Sequence, residues 1–259
     1  MTHPVPPTGP VRVLLAGESW SSYGVHIKGF NAYYTGFYDE GGAPLIEALE
    51  AGGCIVTYQP NHVAATRFPD SVAELDAYDV VVLSDIGSDT LLLHPDTFRA
   101  SQVRPDRLAV LADWVRGGGG LLMVGGYMGF TGYAAAARYG MTPLADVLPV
   151  TLMDHDDRIE TPAGVSPVAT GEDAARILGG IDGPWPPFLG YNRLRERDGS
   201  SVLLRHEADP FLVTREVAAG RSAAFASDCS PHWGSPEFTA WAAYPRFWRQ
   251  LVEWLAVRR

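Results

Sequence analysis

The feature that most constrains this chain is a set of four short runs, rich in leucine and β-branched residues and separated by amphipathic helical patterns. The runs are residues 11–16 (VRVLLA), 54–58 (CIVTY), 80–84 (VVVLS) and 121–124 (LLMV). Such runs suit central parallel strands, which are covered by helices on both faces and so tolerate apolar side chains on both. Ahead of the second run, Leu45, Ile46 and Leu49 stand at helical spacing, and Gly52 and Gly53 supply the stop. Ahead of the fourth, Leu108, Leu111, Ala112 and Val115 share one helical face, and Gly117 ends it. This alternation predicts a flavodoxin-like, doubly wound, mostly parallel α/β sheet with right-handed crossovers.

After Tyr133 the periodicity loosens. Gly, Pro and Asp dominate, and the expectation is an irregular lobe over about residues 143–200, packed on the sheet. Regular patterns return at residues 202–205, 211–215 and 222–227, which read as strands. A last amphipathic helix carries Trp248, Leu251, Val252 and Leu255, with Pro245 in its first turn. Residues 1–10 read as a flexible proline-rich leader without a signal-peptide pattern, and residues 11–259 as a single domain.

Charge narrows the partners. Lys+Arg number 20 against 30 Asp+Glu, a net charge of −10, which repels phosphate backbones and anionic bilayers. Nucleic acid and membrane are therefore not expected as partners. Residues 117–137 carry no charge but eight glycines, so they read as a buried strand and turn and not as a membrane span. Two cysteines, Cys54 and Cys229, cannot build a disulfide framework or a four-thiolate zinc site. The expectation is a cytoplasmic protein with a small-molecule ligand, and the aromatic content leaves a homo-oligomer open.

Ligands of open parallel sheets bind beyond the carboxyl ends of the strands. Four segments stand there: Gly17-Glu18-Ser19-Trp20, Asp85-Ile86-Gly87-Ser88, Gly125-Gly126-Tyr127-Met128-Gly129 and Asp228-Cys229-Ser230-Pro231-His232-Trp233. His232 is the candidate acid/base, with Asp228 or Asp85 to orient it and Tyr127 or Ser19 against the substrate. Glu18, Trp20, Gly87, Gly126 and Trp233 are the further candidate contacts. Residues 125–129 have the spacing of a nucleophile elbow. A phenol with a pKa of about 10 is a poor nucleophile, however, so the plainer reading is a strand–helix turn whose Tyr127 packs or hydrogen-bonds. Cys229, three residues before His232, is either an activated thiolate or a small buried hydrophobe, and Ser19 either a nucleophile or a cap.

Lys28, the only lysine, lies beyond the first strand among His26, Phe30, Tyr33 and Tyr34, in what reads as a loop lidding the crevice or meeting another subunit. Arg158 belongs to a charge cluster with Asp156, Asp157 and Glu160, either self-paired or closing over the rim to grip a carboxylate. Glu18, Asp85, Asp228 and His232 could together hold zinc, manganese or iron. No HxH or HExxH spacing is present, so no metal ligand is assigned and a divalent ion stays an option.

GESW (17–20), KGF (28–30), YDVVVLSDIGS (78–88), GGGLLMVGGYMGFTG (118–132), DDRIE (156–160) and SDCSPHWG (227–234) carry a resemblance spanning nearly the whole chain. It resembles the class I glutamine amidotransferase-like superfamily, and within it a putative glutamine amidotransferase domain family without the elbow cysteine. The resemblance implies a rim site in which an elbow Cys attacks an amide, a downstream His takes its proton, and an acidic residue two positions later orients that His. Here Tyr127 stands at the elbow and Gly234 two beyond His232, which argues against glutaminase chemistry. Two readings remain: an enzyme acting on a small polar, sugar- or amide-like metabolite, hydrolytic in the simplest case, or a non-catalytic ligand-binding or assembly protein that lost its nucleophile.

Overall fold

In the computed structural model, which describes residues 9–181 and 183–257, the four apolar runs are neighbouring strands. All but the last two residues of the expected leader lie outside the described residues. Strand β1 (Arg12–Gly17) is buried from Val13 onward. It is followed by two long strands, β2 (Ser19–Lys28) and β3 (Asn31–Glu40), then helix α1 (Ala43–Ala51) and β4 (Ile55–Gln59). Short helices α2 (Asn61–Arg67) and α3 (Val72–Leu75) lead to β5 (Val80–Ser84), every residue of which is buried. Helices α4 (Ser88–Leu92), α5 (Pro95–Ala100) and α6 (Arg107–Arg116) precede β6 (Gly120–Val124).

Three single-turn 3-10 segments follow, then β7 (Val150–Thr151), β8 (Arg158–Val165), β9 (Val168–Ala169), α7 (Gly171–Ile177), β10 (Phe188–Asn192) and β11 (Arg195–Glu196). The chain closes with β12 (Ser201–His206), β13 (Asp209–Val217), β14 (Gly220–Phe225), α8 (Pro236–Thr239) and α9 (Tyr244–Leu255).

The main sheet runs β4-β1-β5-β6-β14-β13-β12-β9. Its first five strands are parallel, and β13, β12 and β9 extend it antiparallel. The chain steps from β1 outward to β4 and then back across β1 to β5. That reversal is the switch point of a doubly wound sheet, where a crevice opens at the strand ends. Helix α9 seals one face with Tyr244, Phe247, Trp248, Leu251, Val252 and Leu255. At about 1.5–3 kcal/mol per buried large apolar side chain, that stripe outweighs the helix's intrinsic propensity. Arg107 is buried in α6, and its guanidinium donates to the carbonyls of Ala64, Ala65, Thr90 and Leu91, tying α2 and α4 to the sheet's flank.

Three expectations are corrected here. The stretch after the first strand is a ten-residue-per-strand hairpin and not a loop, with Lys28 at its far end opposite Asn31. Cross-strand pairing of β-branched and aromatic side chains outweighs the turn-like Gly and Ser content. The segment after β6 does not enter an α-helix but turns into 3-10 structure at Tyr133–Ala135, so the elbow lacks its helix. Finally, the lobe at 143–200 is less irregular than expected. It holds two small antiparallel sheets, β8 with β10 and β7 with β11, and helix α7, elements too short for a clear sequence period.

Candidate functional site

At the switch point, Gly17 at the end of β1 lies beside Ser84 at the end of β5, so Glu18 and Asp85 emerge as neighbours. Both turn in left-handed backbone, with φ of +47° and +42°, conformations that cost L-residues about 1–2 kcal/mol each and gather at functional sites. Tyr127 emerges beyond β6 and Asp228 beyond β14. Together with Trp20, Met128, Tyr133, Ser230, Pro231 and His232 they line one pocket of about 550 Å³. The ring centroids of Tyr127 and His232 are 4.4 Å apart, edge to face.

Hydrogen bonds order the acids. Ser84 Oγ donates to Glu18 Oε1 at 2.5 Å and Ser230 Oγ to Glu18 Oε2 at 3.0 Å. Asp228 Oδ1 accepts from the Ser230 main-chain N–H at 3.1 Å, and its Oδ2 lies 3.6 Å from His232 Nδ1. Asp85 Oδ1 accepts from the Met128 N–H at 2.6 Å. Burial, reinforced by the charges of Asp228 and Asp85, pushes the Glu18 carboxyl well above the usual range. Burial and Asp228 raise Asp85 to about 6. The Asp228 carboxylate, against the opposing effect of burial, raises His232 above its ordinary 6.5. Burial thus favours the neutral form of Glu18, Asp85 titrates at about 6, and Asp228 favours the charged form of the His232 imidazole.

A second network aims the Tyr127 loop. Asp157 accepts from the main-chain N–H groups of Thr131 and Gly132 and from Asn192 Nδ2, while Asn192 Oδ1 accepts from the Gly126 N–H. Gly126 sits at φ +141°, and a Cβ there would come within 2.8 Å of Asp85 Oδ1, so only glycine lets this loop approach the acid. Tyr127 donates to Glu160 Oε1 at 3.0 Å, and Trp233, buried behind His232, donates to Glu160 Oε2 at 3.1 Å.

Several candidates take other roles. Burial and Glu160 raise the Tyr127 phenol, so it is neutral and a wall, not a nucleophile. The Cys229 thiol is fully buried and raised well above its ordinary value, mainly by desolvation, which leaves no thiolate for attack. Ser19 Oγ accepts the Asn61 N–H at 2.8 Å and caps the start of α2. Lys28 lies at the hairpin's far end, outside the pocket lining, because β2 carries it away from the rim. Gly87 stands at the start of α4. Arg158 is gripped by Asp156 at 2.8 Å and lies over the rings of Tyr127 and Tyr133 at 4.7 and 4.0 Å, so it stiffens the aromatic wall instead of offering a free fork.

Glu160, Asp157, Asn192 and Tyr133 were not singled out as ligand contacts or supports. Glu160 and Asn192 are placed by the β8–β10 pairing, which has no local signature, and Asp157 stands one residue before β8. Met128, Ser230 and Pro231 sit inside the rim segments already identified, so adjacency could have included them. Ser19→Ala is expected to lower stability by about 1 kcal/mol through the lost cap and leave pocket chemistry intact. Chemical denaturation beside an activity assay checks it, and an activity loss beyond the stability loss would restore Ser19 as a reacting group.

As a metal set, Glu18 and Asp228 of the pocket stand with the buried Cys229, their ligand atoms within 4.8 Å of one another. Burial favours the neutral forms of Glu18 and Cys229, which opposes a cation's need for ionised ligands there.

A family model described as Putative glutamine amidotransferase matches residues 12–257. A solved cytoplasmic protein from Salmonella typhimurium is 42% identical with a TM-score of 0.91, the match covering 95% of this chain and 99% of that one. A second, from strain LT2, is 43% identical with a TM-score of 0.91, covering 95% and 100%. A ThuA-like protein of Parabacteroides merdae shares the fold alone, at 12% identity and a TM-score of 0.54, covering 95% of this chain and 90% of that one. No curated protein matches the chain.

Proposed function

Since this chain belongs to the Putative glutamine amidotransferase family, we propose a reading that keeps the rim site without thiol chemistry: acid–base action on a small, polar, sugar- or amide-like metabolite. The observation that carries it is one pocket joining a His232–Asp228 pair at 3.6 Å to the Asp85 carboxyl, between aromatic walls. Asp85 is the base and the His232 imidazolium the acid, and aromatic faces of Trp20, Tyr127 and Tyr133 suit the C–H surface of a sugar ring. A hydrolytic step is the simplest outcome, with water activated by Asp85 and the leaving group protonated by His232. The setting in this reading is the cytoplasm, as for the two Salmonella proteins named cytoplasmic, and no helix among the described residues is long and apolar enough to cross a membrane.

The test is a thermal-shift screen of polyols, sugar acids and amides, followed by turnover assays on each stabilising compound. Turnover should follow a bell in pH, rising through about 6 as the cluster containing Asp85 ionises and falling as His232 deprotonates. Asp85→Asn should abolish the acid limb and most activity while stabilising the fold. The folded pKa of Asp85 lies above its ordinary 3.8. The native state therefore favours the neutral carboxyl, and that advantage is complete below the ordinary value and lost as pH rises through about 6. Above that pH, Asn should gain about 3 kcal/mol over Asp, fading toward acid. Ligands that raise the melting temperature and are never consumed would favour the binding-protein reading, which the neutral Tyr127 at the elbow supports.

A further inference from the structure

The β2–β3 hairpin is unlike the rest of the surface. Nine of the nineteen large apolar side chains exposed among the described residues belong to it, including Tyr23 at 84%, Tyr34 at 76% and Phe30 fully exposed. Its strands span roughly 33 Å at about 3.3 Å per residue. Neither strand pairs with any other among the described residues, so both outer edges are open. One face carries Tyr23, Val25, Ile27, Tyr34 and Tyr38; the other carries Phe37 and the stacked His26–Tyr33 pair. An isolated two-stranded ribbon is at best marginal in water, and this one is built from side chains that favour burial.

The charge pattern identifies what covers it. Residues 19–38 contain no acid, one lysine and one histidine, in a chain with 30 acidic residues and a net charge of −10. Asp39 and Glu40 lie at the arm's root, so its outer part is neutral to basic and apolar, and the body of the same chain is strongly acidic. We propose that the hairpin is a dimerisation arm, seated on the body of a second copy of this chain. The exposed parts of its six tyrosine and phenylalanine rings offer roughly 850 Å² per copy at 150–250 Å² per ring, against the 800 Å² per partner of a standard interface. In a two-fold dimer both arms dock reciprocally, which doubles that area and leaves no arm exposed. The arm is rooted at Trp20, so its docking also holds one wall of the pocket.

Sedimentation equilibrium or light scattering on the full chain tests this. The expected mass at micromolar concentration is twice the 28.0 kDa of one chain. Phe30→Glu with Tyr34→Glu should halve it. So should a shortened arm in which Asn-Gly replaces residues 23–36, since Ser22 and Phe37 are already cross-strand partners and accept a two-residue turn. Circular dichroism should show the body still folded in both variants. A monomeric wild-type chain overturns the proposal, and so does a dimer that survives either change. A monomer that instead co-sediments with phosphatidylcholine–phosphatidylglycerol vesicles also overturns it and gives the arm to a membrane. If the shortened arm fails to fold, the double substitution decides alone.

Discussion

Replacing His232 with alanine is expected to lower turnover by roughly 10²–10⁴-fold, the usual contribution of a positioned acid or base, while the protein stays folded. Its side chain is 41% exposed and contributes one ion pair and ring contacts to Tyr127 and Trp233, so the stability change should stay within about 1 kcal/mol. The pH profile separates a chemical role from a structural one. Asp228 raises the imidazole, so the protonated form is favoured in the fold, and its stabilising contribution is complete below the ordinary 6.5 and lost as pH rises through the higher folded value. In the variant both that alkaline loss of stability and the alkaline limb of turnover should disappear. Full turnover by His232→Ala on a substrate found in the screen would remove His232 from the mechanism.

The second large effect concerns the strand end that aims the acids. Gly17→Ala should destabilise the protein by at least about 4 kcal/mol, a large part of the 5–15 kcal/mol that holds a typical domain. A Cβ at Gly17 would lie 1.8 Å from the Ser84 carbonyl oxygen and 3.1 Å from Ile86 Cβ, and the residue sits at φ +116°. Neither obstacle can move aside: the carbonyl belongs to the adjacent parallel strand and accepts the Glu18 N–H at 2.8 Å. Relief requires parting β1 from β5 at the switch point, which would also displace Glu18 and Asp85. Denaturant unfolding should show a much lower midpoint or loss of soluble protein, and a near wild-type midpoint would refute this account of the strand end.

The legible parts of the chain share one physical property. The run at 80–84 is found as a strand at those same residues, and the helix inferred from Leu108, Leu111, Ala112 and Val115 spans Arg107–Arg116. Both announce themselves locally, through burial on all sides or on one stripe. Tyr127, Asp85, Asp228 and His232 were reachable from the rule that sites form beyond parallel strand ends, and they line one pocket. The hairpin was not read, because Ser, Gly and Asn punctuate its alternation and its pairing is set across the turn. Asn192 was missed, and Glu160 was read only as part of the Arg158 charge cluster, for a related reason: they reach the rim through β8 and β10, whose partners are distant in sequence.

Periodicity therefore determined the sheet, its parallel core and the edge at which chemistry would gather, since each strand and helix carries its own burial pattern. What only the three-dimensional arrangement decided is the state of the groups at that edge. Whether a carboxyl is neutral, a thiol inert or a serine a cap depends on desolvation and on partners brought from elsewhere in the chain. Ser84 and Ser230 against Glu18, and Met128 against Asp85, are such partners, and no local pattern encodes them.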